Sequence, residues 1–394
     1  MRYELIEEAK KIYKFFKPLR AEFAQGLSKQ YRAQIFCKFE CRNLTGSFKE
    51  RGALNALLDF KNRTKIVTAS AGNHALAVSY YAKSLGHQCV VVCPKNASVA
   101  KVAKIKSLGA KVFLHGDDFK GAFLFAKELL KNKNAHFIHP FDQESVVAGQ
   151  GTLGLEILNE LPEIKTVVAP VGGGGLIAGL ALAIKKKKPA VKIVGVRSDW
   201  VKEKTGLNLS SLADGIAVKE IGDLNKPIID SLVDDIIYVS EEEIAEAILA
   251  FLDLEKTLVE GAGAVSLIPI VRGFLKRRDF PACILVCGSN IDISVLSRLI
   301  LRKLRQSKRL VKIMVAVPDK PGMLGLAAGT IGSEGGQIIQ TYHDRLDSPT
   351  PNSVGISFLV EVFDLNHARR IVGKLKALFR IVKLLGETTP GLEH

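Results

Sequence analysis

The sequence predicts an α/β protein: a two-lobed, doubly wound parallel-sheet part followed by a small C-terminal domain of βαββαβ order. Three observations predict it. Short apolar runs alternate with helical stretches from Lys65 onward, the rhythm of parallel strands joined by crossover helices. Glycine, asparagine and serine cluster just after several of those runs, at strand ends, where open parallel sheets bind ligands. From about Val311 the pattern becomes strand, helix, two strands, helix, strand, the ferredoxin-like order in a length that suits a separate domain.

Residues 1 to about 30 read as helical around the turn Lys17-Pro18-Leu19. Gln34 to Glu40 alternates like a strand and leads into Thr45-Gly46-Ser47-Phe48-Lys49, after which Glu50 to Asp59 reads as a helix. Lys65 to Thr68 is a β run ending in Ala69-Ser70-Ala71-Gly72-Asn73-His74, with a helix to Leu85 behind it. Cys89 to Cys93 is a second run, stopped by Pro94 and followed by a helix from about Ser98 to Leu108. Lys111 to Leu114 is a third; Gly116-Asp117-Asp118 then opens a helix to Asn132. Thr166 to Val171 ends in Gly172-Gly173-Gly174-Gly175, Lys192 to Val196 in Arg197-Ser198-Asp199, and Cys283 to Val286 in Cys287-Gly288-Ser289-Asn290.

Arg302 to Arg309, rich in Arg and Lys, reads as the connector to the small domain. There Val311 to Val317 is a strand, Asp319-Lys320-Pro321-Gly322 a turn, and Met323 to Glu334 a helix of small residues. Strands Gln337 to His343 and Gly355 to Val362, helix Asn366 to Leu378 and strand Ile381 to Leu385 complete it. The expected boundaries are 1–305 for the larger part, with a smaller lobe at about 47–140 inserted in it, 306–310 for the linker and 311–386 for the small domain. Gly391-Leu392-Glu393-His394 reads as an expression-vector remnant.

At 394 residues and 47% hydrophobic, the chain has ample material for a core, which excludes wholesale disorder. The net charge of +16 invites a nucleic-acid reading, but the basic residues are scattered and not interleaved with aromatics. Lys185 to Lys188 close an apolar helix before Pro189, where cations suit the helix dipole. Val167 to Ile184 carries no charge and approaches the length of a membrane span, but Pro170 and the four glycines divide it into a buried strand, a turn and a packed helix. Met1 to Leu19 is charged and helical, not a signal peptide; no membrane partner and a cytoplasmic location are expected. The cysteines form three pairs spaced by four, Cys37/Cys41, Cys89/Cys93 and Cys283/Cys287. Residues four apart on a strand stand about 13 Å apart, too far for a disulfide or a shared zinc ion, so buried thiols are expected.

Lys49 alone is weak evidence, since a lysine after a turn is usually solvated. Burial near apolar or cationic groups would lower its pKa, and a neutral amine forms a Schiff base with an aldehyde. Four glycines between strand and helix make an anion cradle of backbone N–H groups. A plain strand–helix turn needs only one or two, so four favour a phosphate; no dinucleotide or Walker pattern fits. Ser70 to His74 reads equally as a carboxylate-binding loop or as a helix cap, and Cys287 to Asn290 carries the same ambiguity.

Together, Ser47-Phe48-Lys49 with Arg51-Gly52-Ala53, Ser70 to His74, Gly172 to Gly175 with Leu176, Ala213-Asp214-Gly215-Ile216-Ala217-Val218 and Cys287 to Asn290 resemble, in order and spacing, the pyridoxal-phosphate β-eliminating enzymes. The resemblance is closest to the threonine ammonia-lyases, and the tail with Asp319 to Gly322 looks like their ACT regulatory domain. It implies fold type II, pyridoxal 5'-phosphate as cofactor and β-elimination of water from threonine, with serine beside it. By the same resemblance Lys49 would carry the pyridoxal aldehyde and act as general base. Gly172, Gly173, Gly174, Gly175 and Leu176 would hold the phosphate. Asn73 would bond the ring hydroxyl, Phe48 would lie near the ring, and Cys287 would face the pyridine nitrogen. Ser70, Ala71, Gly72, Asn73 and His74 would hold the substrate carboxylate. Asp319, Pro321, Gly322, Leu324 and Gln337 would contact an amino-acid effector, and a homodimer or homotetramer is implied.

The sequence departs from the family at three places. Leu76 stands where a Gln is usual. Arg197 stands where many members carry a cation-binding Glu, so no metal is expected there. Gly335-Gly336-Gln337 replaces a Gly-Ala-Asn turn. Racemases of this fold carry a serine where this chain has Ala71. The alternatives are a serine racemase, a β-replacing synthase, and a degenerate, non-catalytic amino-acid sensor.

Overall fold

The computed structural model describes residues 1–131, 135–202, 211–344 and 352–385. Gly391 to His394, and the expected helix end at Asn132, lie outside them. The chain divides into two compact units, Met1–Ile291 and Asp292–His394.

The first unit holds two sheets. In chain order its strands are β1 (Glu22–Phe23), β2 (Ile35–Lys38), β3 (Lys65–Ala69), β4 (Gln88–Cys93), β5 (Lys111–Leu114), β6 (Ala135–Phe137), β7 (Thr166–Pro170), β8 (Lys192–Ser198), β9 (Asp235–Val239) and β10 (Ala282–Leu285). The larger sheet has the order β1-β2-β10-β7-β8-β9 and the smaller β5-β4-β3-β6. Every pairing is parallel except that of β1 with β2, as the strand–helix rhythm requires. The four strands of the smaller sheet fall in sequence between β2 and β7. Short polar side chains start the crossover helices: Asp118 accepts from Gly121 N at 2.8 Å, and Ser240 and Glu243 form a capping box, satisfying N–H groups that a helix start leaves open.

Residues 1–30 are helical on both sides of the expected turn at Lys17-Pro18-Leu19, but with a 3-10 segment and a short strand in place of helix between them. Helix Glu4–Glu8 runs into a 3-10 segment to Lys14, and Glu22–Phe23 is a strand before helix Gln25–Tyr31. Pro18 cannot continue a helix, and the Phe23 ring meets the Phe36 ring edge-on at 5.5 Å. Val167 to Ile184 forms the expected strand, glycine turn and helix (Gly175–Lys187). No helix among the described residues is long and apolar enough to cross a membrane. All six cysteines are buried and free.

The second unit begins with helix Ile293–Gln306, so the basic stretch read as a connector is largely helical. Its last turn carries Lys303 and Arg305, which suit the dipole. Strands β11 (Leu310–Pro318), β12 (Gln337–Asp344), β13 (Ser353–Glu361) and β14 (Ile381–Leu385), with helices Met323–Ser333 and Leu365–Leu378, give the expected βαββαβ order. The sheet is antiparallel throughout, ordered β12-β13-β11-β14. Ile313, Val315, Ile356, Phe358, Ile371 and Leu375 are fully buried in its core, alternating along the strands as a one-sided sheet requires.

Candidate active site

The loop before Lys49 is held by residues distant in sequence. Gly46, at φ +82°, makes the turn that a side chain would strain. Phe48 N donates to Cys287 O at 3.0 Å, Ser289 N to Gly46 O at 3.0 Å and the Asn290 amide to Thr45 O at 3.0 Å. The expected Lys49 and Cys287 loops are thus one structure. Lys49 opens helix Lys49–Leu57, and its Nζ donates to Pro140 O at 2.7 Å, 5.1 Å from the Phe48 ring centre. Burial of the amine pulls its pKa down to about 8, against opposing pulls from Cys287 and Glu260. At neutral pH an appreciable fraction is the free amine.

The glycine turn joins β7 to its helix without room for side chains. A Cβ on Gly173 would lie 2.3 Å from the Phe141 ring, one on Gly172 would lie 3.1 Å from Gly215 O, and Gly174 adopts φ +91°. The helix behind it leaves its first N–H groups without intrahelical partners, facing where an anion would sit. Leu176 is buried in the apolar core below. Phe141 belongs to a turn that also carries the partner of Lys49: His139 Nδ1 accepts from Phe141 N at 3.3 Å and Asp142 N at 2.8 Å. Burial, then the Lys49 charge, pushes His139 down to about 4, which keeps its nitrogen free to accept. Asn225 Nδ2 donates to Phe141 O and Gly173 O, each at 2.9 Å. One turn therefore ties the lysine to the glycine cradle.

Asn73, at the start of helix Asn73–Ser84, donates through Nδ2 to Glu260 Oε1 at 2.7 Å, and its carbonyl oxygen accepts from Asn290. Glu260 is buried, which raises its pKa to about 7, with Asp214 pushing the same way. It packs so tightly on Gly288 that a Cβ there would lie 2.2 Å from Oε1. Burial holds the Cys287 thiol far above its ordinary pKa, with Glu40 and Glu260 adding to it, so it is a neutral SH. Ser70 Oγ accepts from Gly72 N at 3.1 Å, and nothing lies within 4 Å of a Cβ built on Gly72. His74 is buried, with Nε2 at 3.2 Å from Ile138 O, and is held far below its usual pKa by desolvation and then by Lys49.

The structure therefore gathers Lys49, Phe48, Asn73, the glycine turn and Cys287 into one network. Leu76 is a different case: it lies 4% exposed in the smaller lobe's apolar core, where a Gln would have to bury its amide. In the second unit Asp319, Pro321, Gly322 and Leu324 lie around the start of helix Met323–Ser333, whereas Gln337 follows its end. Eleven helical residues separate them by about 16 Å, so one chain does not bring these five together. Sequence reasoning missed Glu260, His139, Pro140, Phe141 and Asn225.

The residues fit a phosphorylated aldehyde: a cradle for the anion, an amine of lowered pKa, and buried polar partners between them. A family model described as "Pyridoxal-phosphate dependent enzyme" matches residues 16–288. The L-threonine ammonia-lyase of Thermotoga maritima is 36% identical over 92% of this chain and 94% of its own length. The catabolic L-threonine dehydratase TdcB of Escherichia coli K12 is 39% identical over 74% of this chain and 92% of its own. Among solved structures, the processed threonine deaminase isoform 2 from Solanum lycopersicum gives a TM-score of 0.70 at 30% identity, covering 76% of this chain and 87% of that one. Maize serine racemase gives 0.68 at 29%, covering 77% and 98%.

Proposed function

Because this chain belongs to the pyridoxal-phosphate dependent enzymes, and among them to the threonine ammonia-lyases, we propose that it converts L-threonine to 2-oxobutanoate and ammonia, and L-serine to pyruvate and ammonia. It is a pyridoxal-phosphate dependent lyase. The observation that carries the proposal is the Lys49 amine, lowered to about pKa 8 and tied by one turn to the glycine cradle.

When bound, pyridoxal phosphate supplies an electron sink for the pair left on Cα. The protein does the rest. The N–H groups of Gly172 to Leu176 would bind the phosphate. The neutral Lys49 amine would hold the aldehyde and, as a free amine, would take the substrate Cα proton at Nζ. Asn73, fixed by Glu260 and Asn290, would hold the ring hydroxyl, with Phe48 beside the ring. Cys287 would meet the pyridine nitrogen as a neutral thiol. A thiol is a weak donor, so Cys287 would protonate the ring nitrogen less than an acid would, an environment that suits β-elimination better than transamination. Ser70 to His74, at a helix start with open space at Gly72, would take the substrate carboxylate.

A racemase must return a proton to the opposite face of Cα, and Ala71 has none to give. D-Serine formation from L-serine is expected to stay far below pyruvate formation, as chiral chromatography would read; comparable rates would favour the racemase. At the end of β8, Arg197 offers donors only where a cation-binding carboxylate is often found. Adding magnesium or calcium, or a chelator, is therefore expected to leave the deamination rate unchanged. A rise that the chelator reverses would count against this.

The second unit, of ACT-like order, would bind an amino-acid effector. Since Gln337 lies a helix length from Asp319 to Leu324, a site using all five would draw on a second copy of the chain, in a homodimer or homotetramer. The location would be cytoplasmic. The proposal is tested by 2-oxo acid and ammonia release from L-threonine, with Lys49→Ala beside the parent.

A further inference from the structure

Arg197 is 8% exposed at the end of β8, yet among the described residues no carboxylate pairs with it. Its guanidinium donates instead to two backbone carbonyls, Val218 O and Lys219 O, each at 2.7 Å, and its Nε is buried without a partner. A buried charge demands compensation, and here peptide dipoles supply it, as they would around a bound metal ion. The gripped carbonyls are not incidental. They sit midway along the stretch 213–225, which touches the glycine turn on both sides of that point. Upstream, Gly215 O and Ile216 Cα each lie 3.1 Å from a Cβ built on Gly172. Downstream, Gly222 N donates to Gly173 O at 3.1 Å, and Asn225 Nδ2 donates to the same oxygen.

We propose that Arg197 is a built-in cation that staples the 213–225 wrap around the glycine turn and thereby sets how tightly this chain grips the cofactor phosphate. It is a positioning residue, acting through Val218 and Lys219 with no contact to the cofactor. The inference rests on Gly172 to Gly175 being the phosphate cradle.

The test is a titration of cofactor-free protein with pyridoxal phosphate, followed by absorbance. Arg197→Ala is expected to raise the dissociation constant by at least about tenfold, the worth of one hydrogen bond to a charged group. Arg197→Lys keeps a charge but can reach fewer carbonyls, and is expected to fall between the two; it also serves if the alanine variant does not fold. Guanidinium ion at a non-denaturing concentration is expected to restore affinity to Arg197→Ala, and sodium at equal ionic strength is not. Parent-like affinity in Arg197→Ala overturns the inference, as does a loss that guanidinium fails to restore or sodium restores equally. Gly173→Ala separates the two layers. If it binds the cofactor as the parent does, the cradle assignment fails; if it loses the cofactor while Arg197→Ala does not, only the staple fails.

Discussion

Replacing Lys49 with alanine is expected to drop 2-oxo acid and ammonia release from L-threonine to background, a loss beyond about 10⁴-fold. Removing a general base alone costs about 10²–10⁴-fold, and here the same amine also holds the cofactor covalently. A second readout follows from its environment. Burial favours the neutral amine and sets its pKa at about 8. Below that pH the ammonium predominates and cannot attack an aldehyde, so capture of pyridoxal phosphate by the cofactor-free parent should speed up as pH rises through about 8 and then level off. Arg51, one residue beyond Glu50, has a different job, so its loss should not reproduce this pH signature. Silence from parent and variant alike, with cofactor bound to the parent, would point to another substrate or to a non-catalytic sensor.

The largest expected effect on stability is at Arg51. Its guanidinium is fully buried and meets Glu40 through Nε and Nη2 at 2.8 Å each, Glu156 through Nη2 at 2.8 Å and Thr152 at 3.0 Å. Lys38, also fully buried, joins at 2.9 Å from Glu156. Truncation to Arg51→Ala would leave the buried Glu40 carboxylate without a charge partner and Glu156 with Lys38 alone, and breaking a buried pair from one side costs about 3–5 kcal/mol. Thermal unfolding at fixed scan rate is expected to begin on the order of 10 °C lower. A shift of a degree or two would mean that water reaches the network. Since Arg51 lies on the helix that Lys49 opens, cofactor capture should weaken in the variant as well.

These two sites differ in how far the sequence announced them. Ser70 to His74, Gly172 to Gly175 and Cys287 to Asn290 were legible because a strand that turns abruptly into a helix or loop needs glycine and short polar residues there. The three-residue β6 was not expected, being too short to show a period, nor was β9, whose residues are mostly only half-buried. Pro140 acts through its carbonyl oxygen, an atom every residue has, so no side chain could announce it. Glu260 stands ahead of Gly261-Ala262-Gly263-Ala264 with nothing in the local pattern to mark it. Its burial comes from packing on Gly288 and Asn73, a contact that a local pattern cannot contain. Leu76 was legible as a departure but not as a core residue, because helix Asn73–Ser84 is buried on nearly every side and offers no polar face to set it against. Arg51 was part of the recognised motif, but its partners Glu40 and Glu156 come from a 3-10 turn and a helix far apart in sequence.

The pairing of β10 between β2 and β7, with the bridge from Ser47 to Gly288, has a consequence for the order of events during synthesis. A ribosome delivers the chain from its N-terminus at about 5–20 residues per second. The smaller sheet is complete in sequence by Phe137 and can close while translation continues. The loop carrying Lys49 gains its last anchors, the bonds of Thr45, Gly46 and Phe48 to Cys287, Ser289 and Asn290, only when the residues around Gly288 leave the exit tunnel, on the order of ten seconds or more after Lys49 itself. The nucleophile is thus made early and seated late, and cofactor capture belongs to the end of translation.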